Sequence, residues 1–357
     1  MAHFTIRLVL NSIRIFFTAL LLTLTSCLAC AADWQRVRLG TGAESYEFPV
    51  YANHDLKSNL KGIREIVLII HGINRNGDDY FAAGQTLLKQ SGRNEAEILL
   101  LVPNYPGITD LAKGFERMPL WNNREWSGGL DAQENPFALS SFKVLDDLLL
   151  KVTEKENFPE VTTVTLAGHS AGGQLVQRYA VLNQVDEEIR GRSMDLRYVV
   201  ANPSSFLYFN TLRPVERSFK EFPAEQCPAF NNYRYGLQDI IPYAKGKTGQ
   251  ELFKRYAYRN VVYLMGGADT DPDHKYLDKS CAAAAQGSTR LSRAQAYIRY
   301  ERLLAGRSTK INHLAYEVQG IGHQQEKIFG STCGMTILFQ HHPLKGTDSA
   351  ICQPYLF

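Results

Sequence analysis

Along the chain, continuous apolar runs alternate with stretches in which apolar residues recur every three or four positions. The runs "REIVLIIHG" (64–72), "AEILLLVPNYPG" (96–107), "TTVTLAG" (162–168), "LRYVVANP" (196–203), "NVVYLMGG" (260–267) and "NHLAYEVQGIGH" (312–323) are rich in branched aliphatic residues and close on Gly, Pro or His. They predict six strands, most of them buried on both faces because a polar alternation is missing. Between them "DDYFAAGQTLLKQSG" (78–92), "PFALSSFKVLDDLLLKVTEKENF" (136–158), "GGQLVQRYAVLNQVDEEIRG" (172–191) and "RLSRAQAYIRYERLLAG" (290–306) carry the helical period. Strands that need cover on both faces, separated by amphipathic helices, predict an α/β fold with a mostly parallel central sheet. No repeat or low-complexity linker interrupts the pattern, so residues 33–357 read as one domain.

One region breaks the rhythm. Residues 203–255 are too long for a strand-to-helix turn and contain Pro203, Pro214, Pro223, Pro228 and Pro242, while nine of the residues from Phe206 to Tyr243 are Phe or Tyr. Such aromatic density is more than a solvated loop needs. The insertion is expected to be a lid or pocket wall, or else a packed excursion stapled through Cys227.

The first 32 residues belong to neither pattern. Arg7 and Arg14 precede an apolar run from Ile15 to about Thr25, small residues follow, and no acid occurs. This is the layout of a secretory signal peptide, with cleavage expected after Ala31 or Ala32. Two alternatives stay open: "LTSC" ending at Cys27 resembles a lipobox, which would leave a lipidated cysteine, and an uncleaved leader would anchor the chain in a membrane. All three place the folded part outside the cytoplasm.

Removal of the leader leaves 37 basic against 36 acidic side chains, a formal charge of +1. That balance gives no electrostatic case for nucleic acid as a partner. Four cysteines remain, Cys227, Cys281, Cys333 and Cys352, and no CxxC spacing among them suggests zinc. In an exported chain they predict two disulfides. The pairs expected are Cys333 with Cys352, 19 residues apart, and Cys227 with Cys281, which would tie the insertion to the loop after the fifth run.

"GHSAG" (168–172) carries the candidate chemistry. Ser170 lies between a predicted strand and a predicted helix, where a serine is often only a helix cap. A cap does not need glycine on both sides, whereas a sharp turn that lifts a hydroxyl clear of a sheet does. A serine is a weak nucleophile at neutral pH and needs a base and an orienting acid. His323 follows the last strand in a glycine-flanked loop, and His313, His341 and His342 are its nearby competitors. Asp269 follows the fifth strand, with Asp271, and more remotely Asp239, as alternatives. His71 and His169 have no metal-ligand spacing and read as packing or supporting residues. "DTDPDHKYLDKS" (269–280) has acids at the first, third and fifth positions of a calcium loop, but His274 and Ser280 stand where glycine and glutamate are required.

The order Ser170, Asp269, His323, each just after a strand, resembles the α/β-hydrolase superfamily from about residue 64 onwards. In that family "HGIN" (71–74) would be the oxyanion-hole loop, so the resemblance implies backbone N–H donors at Ile73 and Ala171. Extracellular polyester depolymerases and feruloyl-type esterases share the plan, although they usually carry "HGC" or "HGS" where this chain has "HGI". The activity implied is hydrolysis of a carboxylic ester, in a small or polymeric substrate, through an acyl-enzyme and without a cofactor or metal. A peptidase or acyltransferase with the same triad and a non-catalytic binding protein are the alternatives. Trp121 and Trp126 are candidates for an apolar pocket or for ordinary core.

Overall fold

The computed structural model describes residues 34–244, 246–340 and 350–355. The leader, with Cys27, and the histidines 341 and 342 lie outside the described residues.

Each apolar run becomes a strand: β3 (Glu65–Ile70), β4 (Ile98–Pro103), β5 (Thr163–His169), β6 (Asp195–Ala201), β9 (Asn260–Gly266) and β10 (His313–Val318). Two more pairs complete the set. β1 (Gln35–Leu39) and β2 (Tyr46–Ala52) form an N-terminal hairpin, while β7 (Leu212–Val215) and β8 (Ser218–Glu221) form a separate one inside the insertion. With β11 (Cys352–Pro354), the described residues give a nine-stranded sheet in the order β1-β2-β4-β3-β5-β6-β9-β10-β11. The six strands from β4 to β10 are mutually parallel; β2 and β11 pair antiparallel at its two flanks. This is the α/β architecture with a mostly parallel sheet.

The six principal helices are α1 (Gly77–Gln90), α2 (Ser141–Val152), α3 (Ala171–Leu182), α4 (Gly249–Ala257), α5 (Arg290–Ala305) and α6 (Gln325–Gly330). β3 and β4 are buried along their whole length, as strands covered on both faces must be. Two departures from the predicted spans have local causes. The run 172–191 is broken at Asn183, whose backbone is extended and whose side chain accepts from the Asp186 N–H at 3.1 Å, starting a second short helix. The run 136–158 becomes helical only after Ser140, which caps it by accepting from Phe142 N–H at 3.1 Å.

The insertion is largely core. α3 is buried on every side, and its polar residues are satisfied by the chain that covers it: Gln177 accepts from Leu207 N–H at 3.0 Å, and Arg178 donates to Ser205 Oγ at 3.0 Å. Phe206 stacks on Tyr297 with ring centroids 4.5 Å apart, and Tyr208 meets Tyr300 of the same helix, also at 4.5 Å. Disulfides join Cys227 to Cys281 and Cys333 to Cys352. Among the described residues no helix is long and apolar enough to cross a membrane.

Candidate active site

The C-terminal ends of the parallel strands gather the candidate residues, as open α/β sheets do with their ligand sites. Ser170 follows β5 directly and precedes α3, with φ 58° and ψ −116°. A non-glycine residue held there costs on the order of 1–3 kcal/mol, so the surroundings must enforce it. They do so by close approach. A Cβ at Gly168 would stand 2.3 Å from the Gly172 carbonyl oxygen, and one at Gly172 would stand 2.4 Å from that of Ile70. Side chains at either position would push the start of α3 away from β3 and β5.

His323 lies in the loop beyond β10, and Asp269 in the loop beyond β9. The two loops are bonded to each other: Ala268 N–H donates to Ile321 O at 2.8 Å, and Asn202 bridges them by accepting from Gly266 N–H and donating to Gly322 O. His323 Nδ1 is 2.7 Å from Asp269 Oδ2, and its Nε2 is 3.0 Å from Ser170 Oγ. A carboxylate only accepts, so Nδ1 carries the proton and Nε2 accepts from the serine hydroxyl. Burial holds the imidazole below the ordinary value of 6.5; Asp269 pulls it up, and the Arg290 charge pushes it down again.

Several neighbours carry no signal in sequence spacing. Arg290, at the start of α5, donates to Asp269 Oδ1 at 3.3 Å and to Ser204 Oγ at 3.1 Å. His274 bonds the same guanidinium at 3.3 Å, and its ring lies 5.1 Å from that of His323. The remaining aspartates are elsewhere: Asp271 accepts from the Asp273 N–H on the exposed loop, and Asp239 is far along the insertion.

The "HGIN" loop runs alongside the serine, with a Cβ at Gly72 falling 3.8 Å from that of Ser170. His71 is fully buried and accepts from Tyr105 N–H at 3.0 Å through Nε2, so Nδ1 donates to Gly72 O at 2.8 Å. Burial pushes its pKa down to about 4, and it is neutral at physiological pH. His169 bonds the Tyr80 hydroxyl at 2.9 Å beneath the same loop, and burial pushes it well below its usual range too. Trp121 and Trp126 are fully buried; Trp126 packs on His71 at 4.6 Å. Both belong to the support of the loop. Ile73 lines a cavity of about 500 Å³ together with Arg75, Asn123, Arg124, Glu125 and Arg234, the last contributed by the insertion.

The sheet order and the strand-end position of these residues define an α/β-hydrolase fold. In structure, the chain is similar to LpqC, a poly(3-hydroxybutyrate) depolymerase from Bordetella parapertussis, with TM-score 0.61 and 20% identity over 89% of this chain and 94% of that one. It is also similar to poly(aspartic acid) hydrolase-1 from Sphingomonas sp. KT-1, with TM-score 0.58 and 21% identity over 86% of this chain and 98% of that one. No family model matches the sequence, and no curated protein matches it.

Proposed function

We propose that the protein is an exported serine hydrolase that cleaves carboxylic esters, with Ser170 as nucleophile, His323 as base and Asp269 as the acid that orients it. The observation that carries this reading is the strained Ser170 hydroxyl, 3.0 Å from an imidazole nitrogen whose partner nitrogen is held at 2.7 Å by a buried carboxylate. A capping serine has no use for such a base.

In the reaction, His323 Nε2 takes the Ser170 proton as Oγ bonds the ester carbonyl carbon. The carbonyl oxygen becomes an oxyanion, stabilised by the backbone N–H groups of Ile73 and Ala171. The tetrahedral species collapses, the C–O bond to the alcohol breaks, and the alcohol leaves with the proton from His323. Water then attacks the acyl-enzyme by the same route and frees the acid. Each step uses only groups of this chain and water.

Export is supported by the leader and by the two disulfides, which persist in oxidising compartments. The likeness in fold to a polyester depolymerase is in keeping with an ester substrate, small or polymeric. A fluorophosphonate probe with intact-mass analysis tests the mechanism. The mature protein is expected to gain one adduct on Ser170, and Ser170→Ala to gain none while losing turnover by about 10⁴-fold or more. Labelling or full turnover in a folded Ser170→Ala protein would reject it.

A further inference from the structure

We propose that the cavity beside Ile73 recognises a carboxylate carried by the ester, with Arg124 and Arg234 as the residues that bind it. The proposal rests on the serine-hydrolase reading and names the class of ester that site takes.

Three arginines and one glutamate face this cavity. Arg75 is already committed: its Nε donates to Asp110 Oδ2 at 2.6 Å and its Nη2 to Thr109 Oγ1 at 2.8 Å. Glu125 turns one oxygen to Gln133 Nε2 at 3.0 Å. Among the described residues, no carboxylate lies within 4.0 Å of the guanidinium of Arg124 or Arg234, though both are half-buried. The two come from segments 110 residues apart and meet where Arg234 Nη1 donates to the Arg124 carbonyl at 3.1 Å.

That meeting is built. The Arg234 stem packs over Gly128, where a Cβ would stand 3.2 Å from Arg234 Cδ, and the Arg234 carbonyl accepts from Arg178 Nε at 3.2 Å. Arg178 is buried with no carboxylate in reach among the described residues, and burial, with the Arg234 charge adding to it, pulls its pKa down to about 10. Like charges are therefore concentrated along one wall and left without a protein counterion. Guanidinium groups match carboxylates in a planar fork, so an anion entering the cavity finds two of them beside the loop that runs along Ser170. A solvated surface arginine needs neither a half-buried position nor a second arginine next to it.

Ester pairs that differ only in charge test this. One pair is 4-nitrophenyl hydrogen adipate against 4-nitrophenyl methyl adipate, which places the carboxylate on the acyl side. The other is the butyrate ester of 4-hydroxybenzoate against that of methyl 4-hydroxybenzoate, which places it on the leaving group. The wild-type protein is expected to prefer the charged member of at least one pair by roughly tenfold or more in kcat/KM, the size of one charge-assisted hydrogen bond. The preference should shrink as salt rises. In the Arg124→Gln/Arg234→Gln double variant the ratio is expected to fall towards one, and Arg234→Lys should keep more of it than Arg234→Gln.

A wild-type ratio at or below one in both pairs overturns the proposal, as does a ratio that neither the double variant nor salt reduces. Fluorophosphonate labelling separates the two levels of failure. Labelling with no preference for a charged ester leaves the serine-hydrolase reading standing, whereas no labelling and no hydrolysis of any ester removes both.

Discussion

Two carboxylate–histidine pairs stand at opposite ends of β10. At its start, His313 Nδ1 lies 3.0 Å from Glu301 Oε2, and beyond its end His323 Nδ1 lies 2.7 Å from Asp269 Oδ2. The pairs are alike in chemistry and differ in what the second ring nitrogen meets. His313 Nε2 faces the Tyr256 carbonyl at 2.9 Å, and both partners of the pair are completely enclosed. His323 Nε2 faces a hydroxyl at 3.0 Å, and its side chain keeps 11% of its surface open. An imidazole between two acceptors is a structural fastening between β10, α4 and α5. One between an acceptor and a serine has a nitrogen that can take a proton. A carboxylate beside a histidine is therefore no signature of catalysis by itself.

The sharpest way to break this comparison is to exchange the ring at each end. His323→Gln is expected to lower esterase turnover by about 10⁴-fold with little change in melting temperature. His313→Gln is expected to cost about 3–5 kcal/mol of stability, because one partner of a buried pair is left alone, while the folded fraction keeps its turnover. Urea denaturation and steady-state kinetics on both variants read the two effects. Loss of turnover without loss of stability at His313 would reverse the assignment.

The acids give the next test. Asp269→Asn should reduce turnover by roughly 10³- to 10⁴-fold through the wrong tautomer of His323, and Asp271→Asn should cost little. Equal losses would move the orienting role away from Asp269.

The disulfides and pH probe the support around the site. Closing loops of 54 and 19 residues is worth about 4 and 3 kcal/mol in the chain-entropy picture. Non-reduced peptide mapping should find Cys227–Cys281 and Cys333–Cys352, and reduction should lower the urea midpoint accordingly. His71 sets the acid response: its pKa is depressed from 6.5 to about 4, so its contribution is fully present above 6.5 and is lost as pH falls through about 4. That contribution is roughly 3 kcal/mol, from 1.36 kcal/mol per unit. Replacing His71 with Gln should flatten the fall in stability over this window. The activity profile should carry its own acid limb below pH 6.5, set by the depressed His323.

Much of the fold was legible because buried parallel strands leave apolar runs that few other structures require. The runs also overshot their strands in an instructive way. "REIVLIIHG" continues two residues past Ile70, and "NHLAYEVQGIGH" five past Val318; those residues are the loops that carry His71, Gly72 and His323. Pairing stops where the chain turns to build the site. Short or antiparallel elements were not read: β11 has three residues, and "QRVRL" of β1 is too brief for its alternation to stand out. The insertion was legible as aromatic but not as cover for α3, because nothing in "GGQLVQRYAVL" says that its glutamines and arginine point into protein. Arg290, His274, Arg124 and Arg234 were invisible for a related reason. Their meaning depends on which charge lies opposite, and that is fixed only by packing.

The shortest strand closes the sheet. β11 supplies the last row of hydrogen bonds to β10 across Tyr316–Val318, and the disulfide Cys333–Cys352 holds it there from the chain that follows α6. Without that tether a three-residue strand has little to keep it in place, and β10 would present bare N–H and C=O groups to any passing chain. Open edges of this kind pair with one another. The oxidised cysteines therefore protect solubility as much as stability, and protein made in a reducing cell should self-associate through β10 even where its hydrolytic site is correctly formed.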